Sequence, residues 1–236
     1  MPINSAIKRI INKDIKELQN LNLDKMGIYI NFDESNMLNA NAIIIGPKDT
    51  PYENGILYFK INFPTDYPFN PPKIDYYSKS RVRIHPNLYV GRSKDNYLGK
   101  VCLSIINTWS GPKWTSIMHI GCVLISIQSL LDNNPIHYEP GFEKEFGELN
   151  DKYNEIVKYD TFKNLILNNF NNIPDEYEYF TDIINNHILK NKTNIIDQLE
   201  LLSKEKDSVF KTDCTIYSIY SLNINYPELL NKFKQI

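Results

Sequence analysis

The chain has 236 residues, about one and a half times a typical domain of ~150 residues, so one full core leaves room for something smaller. Its 26 Lys and Arg against 28 Asp and Glu give a net charge of −2, and 42% hydrophobic with 23% charged residues is ordinary for a folded protein, which excludes disorder throughout. A near-neutral balance argues against nucleic acid as the main partner, no apolar run reaches the ~18 residues of a membrane span, and the start MPINSAIKRI lacks the apolar core of a signal peptide. The expectation is a cytoplasmic protein, with the nucleus open, and neither a membrane nor a nucleic-acid partner.

From Ser5 to Gln19 the apolar residues Ile7, Ile11, Ile15 and Leu18 recur at helical spacing, which predicts an amphipathic helix with Ser5 as its cap. Met26, Ile28, Ile30 and Phe32 alternate, as do Leu57, Phe59, Ile61 and Phe63; both runs read as half-buried strands. Asn41–Ile45 and Lys73–Tyr77 supply two more, and residues 33–72 leave no room for intervening helices. The fold class expected is therefore α+β: an N-terminal helix packed on a four-stranded antiparallel meander.

Residues 78–114 are irregular and rich in turn residues; a stretch of that length inside a compact domain is usually functional. Ile117, Ile120, Leu124, Ile127 and Leu131 then mark a second helix. Beyond Pro140-Gly141 the segments 143–170, 176–191, 194–206 and 213–234 are helix-compatible, and no glycine follows Gly147. Residues 1–160 are taken as the core domain and 161–236 as an all-helical C-terminal extension of unassigned role.

Cys102, Cys122 and Cys214 form no CxxC pair, and His85, His119, His137 and His187 form no HxxxH or HExxH. Structural zinc, a disulfide framework and a zinc hydrolase are therefore not expected, and no glycine-rich phosphate loop occurs either. Each cysteine reads as a free thiol, with no bound metal or nucleotide. Heavy use of asparagine and isoleucine points to an AT-rich genome.

The sharpest local feature is His85-Pro86-Asn87 followed by Val101-Cys102-Leu103-Ser104, then Trp109 and Trp114. With GPKDTPYENG (46–55), FPTDYPFNPPKI (63–74), GKVCLSI (99–105) and KWTSIMHIGCVLISIQSLL (113–131), this order of motifs resembles the ubiquitin-conjugating enzyme family. VCLSIINTWSGPKW and NPIHYEPGFE look most like its larger, Use-type members, and the resemblance covers roughly residues 5–160. It implies a cysteine, Cys102, that accepts activated ubiquitin or a ubiquitin-like modifier as a glycyl thioester and passes it to a lysine, with or without a ligase. A thiol is intrinsically very nucleophilic; the same Val-Cys-Leu cysteine, taken without its neighbours, would read as buried core. Asn87 matches the residue that stabilises the oxyanion or holds the loop, and His85 the one that orders the turn.

The resemblance further implies that the first helix, through Lys8 and Arg9, meets the ubiquitin-activating enzyme, which consumes the ATP. Phe69 and the Trp114-Thr115-Ser116 segment would face a ubiquitin ligase, although Phe69 between prolines could equally be packing. Where Ser116 stands relatives commonly carry proline, and where many carry an acidic gate residue this chain offers His137 or Tyr138. His137 could serve as a weak base or polar gate, since histidine titrates near neutrality, or be an idle loop residue. The segment between Asn87 and Cys102 is longer than in typical members and is expected to bulge outward as a loop. Cys122 and Cys214 are read as structural. A catalytically weak ubiquitin-binding or adaptor protein on the same fold remains the alternative.

Overall fold

The computed structural model describes residues 4–91, 93, 96–205 and 208–236. It separates into two compact units. The first draws on the chain up to Gly46, on Leu57–Arg81 and on Asn87–Leu131; the second on Pro47–Ile56, Val82–Pro86 and Asp132–Ile236. The boundary expected at residue 160 coincides with neither unit's edge, because the segment after it shares a unit with residues 132–160.

In the first unit, helix α1 spans residues 5–21, with a π-turn at Ile10–Asp14. Its cap is Asn4 rather than Ser5: the Asn4 side chain accepts the Ala6 N–H at 2.8 Å. Strands β1 (Ile28–Phe32), β2 (Asn39–Ile45), β3 (Ile56–Asn62) and β4 (Lys73–Tyr77) form the expected antiparallel meander, with pairs such as Ile30 opposite Ala42 and Ile61 opposite Ile74. Met26 lies outside β1, in a 3-10 turn. The sheet has five strands rather than four, because β5 (Leu98–Lys100) adds to β4 with Tyr76 opposite Gly99. Only three residues long and centred on a glycine, β5 carries no alternation to detect.

The second helix, α2, is Ile120–Ser129, starting three residues later than the periodicity suggests. Its N-terminus is set by a tertiary contact: the Ile120 N–H points at the buried Asp14 carboxylate of α1, 3.3 Å away. Ile117, left outside the helix, is 75% exposed. Asp14 also accepts from the Tyr67 hydroxyl and from Arg9 Nε at 2.9 Å, so one carboxylate ties α1, the segment before β4 and α2 together. The helices approach closely at Gly121, where an added Cβ would come within 2.8 Å of Leu21 Cδ1. The core beneath them is Ala6, Ile10, Ile28, Ile43, Ile44, Phe59, Ile61, Val123, Leu124 and Ile127, each large side chain contributing roughly 1.5–3 kcal/mol by leaving water.

The second unit is built on helix α3, residues 148–171, which passes through a π-helical stretch at Thr161–Asn168, and on α4 (Thr181–Lys204). The extension is not all-helical. Residues 209–225 form a hairpin of β6 (Val209–Cys214) and β7 (Ile219–Asn225), with Phe210 opposite Ile224, before α5 (Tyr226–Phe233) closes the chain. Val209, Phe210 and Thr212 in β6 and Ile219, Tyr220 and Ile224 in β7 are β-branched or aromatic, side chains that fit a pleated surface better than a helix. Asn225 ends the strand and caps α5, its side chain accepting the Glu228 N–H at 3.0 Å. Among the described residues no helix is long and apolar enough to cross a membrane.

Candidate active site

The outward loop expected between Asn87 and Cys102 falls in part on residues 92, 94 and 95, which lie outside the described residues; on either side of them, in the first unit, the two limbs pair. Leu88 bridges Val101, the Tyr89 N–H donates to the Lys100 carbonyl at 3.1 Å, and the Ser78 N–H donates to the Tyr97 carbonyl at 2.9 Å. The two limbs run so close that a Cβ on Gly99 would lie 1.7 Å from the Tyr89 carbonyl oxygen. The described part of this extra length forms β5 and its return limb.

The result is to bring Asn87 and Cys102 together. The Cys102 N–H donates to the Asn87 carbonyl at 2.9 Å, and Asn87 Nδ2 donates back to the Cys102 carbonyl at 2.6 Å. Both residues are nearly sealed, at 4% exposure for Cys102 and 8% for Asn87. Thr108, which sequence reasoning passed over, completes the clamp: its hydroxyl accepts the Leu103 N–H at 2.8 Å and donates to the Val101 carbonyl at 2.9 Å. The backbone on either side of the sulfur is therefore fixed by three side-chain hydrogen bonds. Cys102 lines an open groove of about 500 Å³, together with Tyr89, Leu98, Lys100, Thr108 and Trp109. No local signal marks Thr108, since its partners are backbone groups defined only by the fold.

The residues expected to face partners divide into two groups. Lys8 is exposed on α1, but Arg9 is turned inward, paired with Asp14 and donating through Nη2 to the Met118 carbonyl at 2.8 Å. Arg9 is a brace between α1 and the start of α2, not a surface cation. Likewise Trp114 is buried, at 8% exposure, and its indole N–H donates to the Pro68 carbonyl at 2.7 Å. It holds the adjoining turn, which leaves Phe69 79% exposed and removes the packing alternative for that ring. Ser116 is exposed.

In the second unit His85 is fully buried, with Tyr138 and Tyr52 as ring neighbours at 4.9 and 6.4 Å between centroids. The Tyr138 hydroxyl donates to Asp132 Oδ2 at 2.9 Å, and burial together with that carboxylate pushes its pKa up to about 12. Tyr138 is then a neutral phenol near pH 7 and no base. His137 Nε2 lies 2.8 Å from the Glu145 carbonyl; a carbonyl only accepts, so Nε2 carries the proton and the neutral ring presents its lone pair at Nδ1. Its ring stands nearly perpendicular, at 79°, to that of the exposed Phe146, with 4.7 Å between centroids.

Of the other thiols, Cys122 sits 3.2 Å from His119 Nε2 on the first turn of α2, and burial pushes the Cys214 thiol up within the hairpin. Among the described residues no three metal-ligating side chains come together.

A family model described as ubiquitin-conjugating enzyme matches residues 10–161. The ubiquitin-conjugating enzymes E2 Z of Xenopus tropicalis and Homo sapiens are 42% and 43% identical over 140 residues, covering 58% of this chain and 42% and 38% of theirs. A probable ubiquitin-conjugating enzyme protein 17 of Caenorhabditis elegans is 36% identical over 184 residues, covering 73% of this chain and 24% of its own. The chain thus spans about two-fifths or less of the length of these curated relatives. Among solved structures, one described as a ubiquitin conjugating enzyme from Plasmodium yoelii aligns with 27% identity and a TM-score of 0.51, covering 70% of this chain and 98% of that one.

Proposed function

Because the chain belongs to the ubiquitin-conjugating enzyme family, we propose that it accepts activated ubiquitin, or a ubiquitin-like modifier, as a thioester on Cys102 and transfers it to a lysine. The observation that carries this reading is the clamped Cys102 at the wall of the groove, paired both ways with Asn87. In the first step the Cys102 sulfur attacks the carbonyl of the modifier's C-terminal thioester on the activating enzyme. A new C–S bond forms, the old one breaks, and the thiol proton leaves with the departing cysteine. In the second step a lysine amine attacks the Cys102 thioester, the isopeptide bond forms and the Cys102 thiol is regenerated.

The side chains have distinct tasks in that sequence. Fixing the backbone at Val101 and Leu103 holds the sulfur in one place, and positioning of this kind lowers the barrier without new contacts. Asn87 holds the Cys102 carbonyl in the resting state and supplies a side-chain amide for a developing oxyanion. His137, with its Nδ1 lone pair unprotonated when neutral, is the candidate to take the lysine proton. Trp109 and Leu98 offer apolar walls for the modifier's tail. The activating enzyme supplies the energy from ATP, so this chain needs no cofactor. Partners beyond the modifier would be that enzyme, meeting the face of α1 that carries Lys8, and a ligase meeting Phe69 and Ser116, in the cytoplasm.

A charging assay tests the reading: activating enzyme, ATP and ubiquitin are mixed with the chain, and products are resolved with and without reductant. A reductant-sensitive adduct is expected, lost in Cys102→Ala and converted to a reductant-resistant ester in Cys102→Ser. If the adduct persists in Cys102→Ala, another residue carries the modifier. If no adduct forms with any ubiquitin-activating enzyme, the chain is an adaptor instead.

A further inference from the structure

The hairpin of the C-terminal extension reaches the residues that precede the active-site asparagine. Tyr217, in the turn between β6 and β7, touches two segments at once. Its ring lies against the Arg83 guanidinium, 5.0 Å from Cζ to centroid, and its hydroxyl donates to Glu139 Oε2 at 3.0 Å. Arg83 in turn donates through Nη2 to the Pro86 carbonyl, the peptide group bonded directly to Asn87. Tyr153 of α3 holds the same arginine from its backbone, its hydroxyl donating to the Arg83 carbonyl at 2.7 Å, and its ring lies 4.9 Å from that of Tyr217.

The chemistry of a guanidinium makes this a directional clamp. Its face packs on an aromatic ring while its N–H groups fork outward in the plane, so fixing the face aims Nη2 at the Pro86 carbonyl. Burial and the Glu139 carboxylate push the Tyr217 hydroxyl well above its ordinary value, which keeps it a donor. Glu139 follows His137 by two residues, so Tyr217 joins the segment entering the His85-Pro86-Asn87 turn to the segment carrying the candidate base. None of Tyr153, Tyr217 and Arg83 belongs to a motif of the sequence analysis.

We propose that Tyr217 is a positioning residue for the transfer step: through Arg83 it sets the His85-Pro86-Asn87 turn, and through Glu139 it holds the 135–139 segment to it. The C-terminal extension conditions the chemistry of the core and adds no separate activity. This inference rests on the Cys102 reading above, and the experiment separates the two.

The full chain and its Tyr217→Ala, Tyr217→Phe and Arg83→Lys variants are charged, then discharged onto free lysine over a range of concentrations. Tyr217→Ala charges within twofold of the parent, but its maximal discharge rate falls about tenfold, inside the ~10²-fold that a small misplacement can cost. The lysine concentration at half-maximal rate stays unchanged. Tyr217→Phe, which keeps the ring against Arg83, recovers most of the rate. Arg83→Lys keeps the charge but not the planar fork; it reproduces the loss, and combining it with Tyr217→Ala adds nothing further. Maximal discharge within twofold of the parent in either folded variant, or equal losses in charging and discharge, overturns the proposal. Hydrogen exchange at the Asn87 amide of uncharged protein gives an independent decision: at least fivefold faster exchange in Tyr217→Ala or Arg83→Lys supports the clamp, and unchanged exchange refutes it. An uncharged parent would therefore sink the Cys102 reading while leaving the clamp decided.

Discussion

Replacing Asn87 by alanine removes one side chain that the structure uses at rest and that the reaction is expected to use again. At rest Asn87 Nδ2 donates to the Cys102 carbonyl at 2.6 Å with both residues buried. Taking away the donor leaves that carbonyl without the bond, at about 1–3 kcal/mol. In a chain of this size each kcal/mol lowers the melting temperature by roughly 2–4 °C, so calorimetry should record a fall of about 2–12 °C. The reciprocal bond from the Cys102 N–H to the Asn87 carbonyl involves backbone only and survives, so Cys102 keeps its place and charging continues. Discharge onto lysine reports the second role. A donor to the oxyanion is worth about 10²–10³ in rate, whereas a residue that only holds the loop would cost less than about tenfold. A single-turnover discharge assay on the isolated thioester reads the difference. Discharge within twofold of the parent, together with an unchanged melting temperature, would refute both the resting geometry and the oxyanion role.

Four further outcomes follow from particular contacts. Asp14→Ala leaves Arg9 partly buried without its carboxylate and frees the α2 N-terminus; the loss should reach about 3–5 kcal/mol in denaturant titration, and a double Arg9→Leu, Asp14→Leu variant should lose less than the single one. Gly99→Ala places a methyl 1.7 Å from the Tyr89 carbonyl, beyond what side-chain adjustment can relieve, so its cost should exceed the usual ~3 kcal/mol and exchange protection at Leu98 and Lys100 should vanish. Thr108→Val keeps the shape but removes the hydroxyl from the Leu103 N–H and the Val101 carbonyl; charging should slow several-fold while Thr108→Ser stays near the parent. His187, whose pKa is lowered by burial and then by Lys190, packs with Nε2 3.0 Å from Asn54 Oδ1. The unfolded chain then takes up this proton more readily, so the contribution of His187 is present above its unfolded pKa of about 6.5 and is lost as pH falls below it. Melting temperature should drop between pH 7 and 5 by more in the parent than in His187→Gln; equal drops would show that another group titrates.

The sequence by itself determined the meander, both helices of the first unit and the family. These rest on alternation and on helical spacing, which are local, and on a motif whose order along the chain is itself the signal. Whatever depended on a partner distant in sequence was decided only by the tertiary structure. The start of α2 moved to Ile120 because its N–H meets Asp14 on α1. Arg9 and Trp114, which read as surface contacts, became internal braces because a buried carboxylate and the Pro68 carbonyl were waiting for them. The hairpin at 209–225 was concealed because residues that tolerate both helix and strand choose by what they can pair with, and β6 finds β7. Leu98–Lys100, which read as part of a loop, close as a strand because Gly99 lets two backbones pass at a distance no side chain would permit. Net charge and composition bounded what the protein could be, while the contacts of Thr108 with the Leu103 N–H and the Val101 carbonyl, and of Tyr217 with the Arg83 guanidinium, could come only from three dimensions, since the sequence does not display which backbone groups or rings meet.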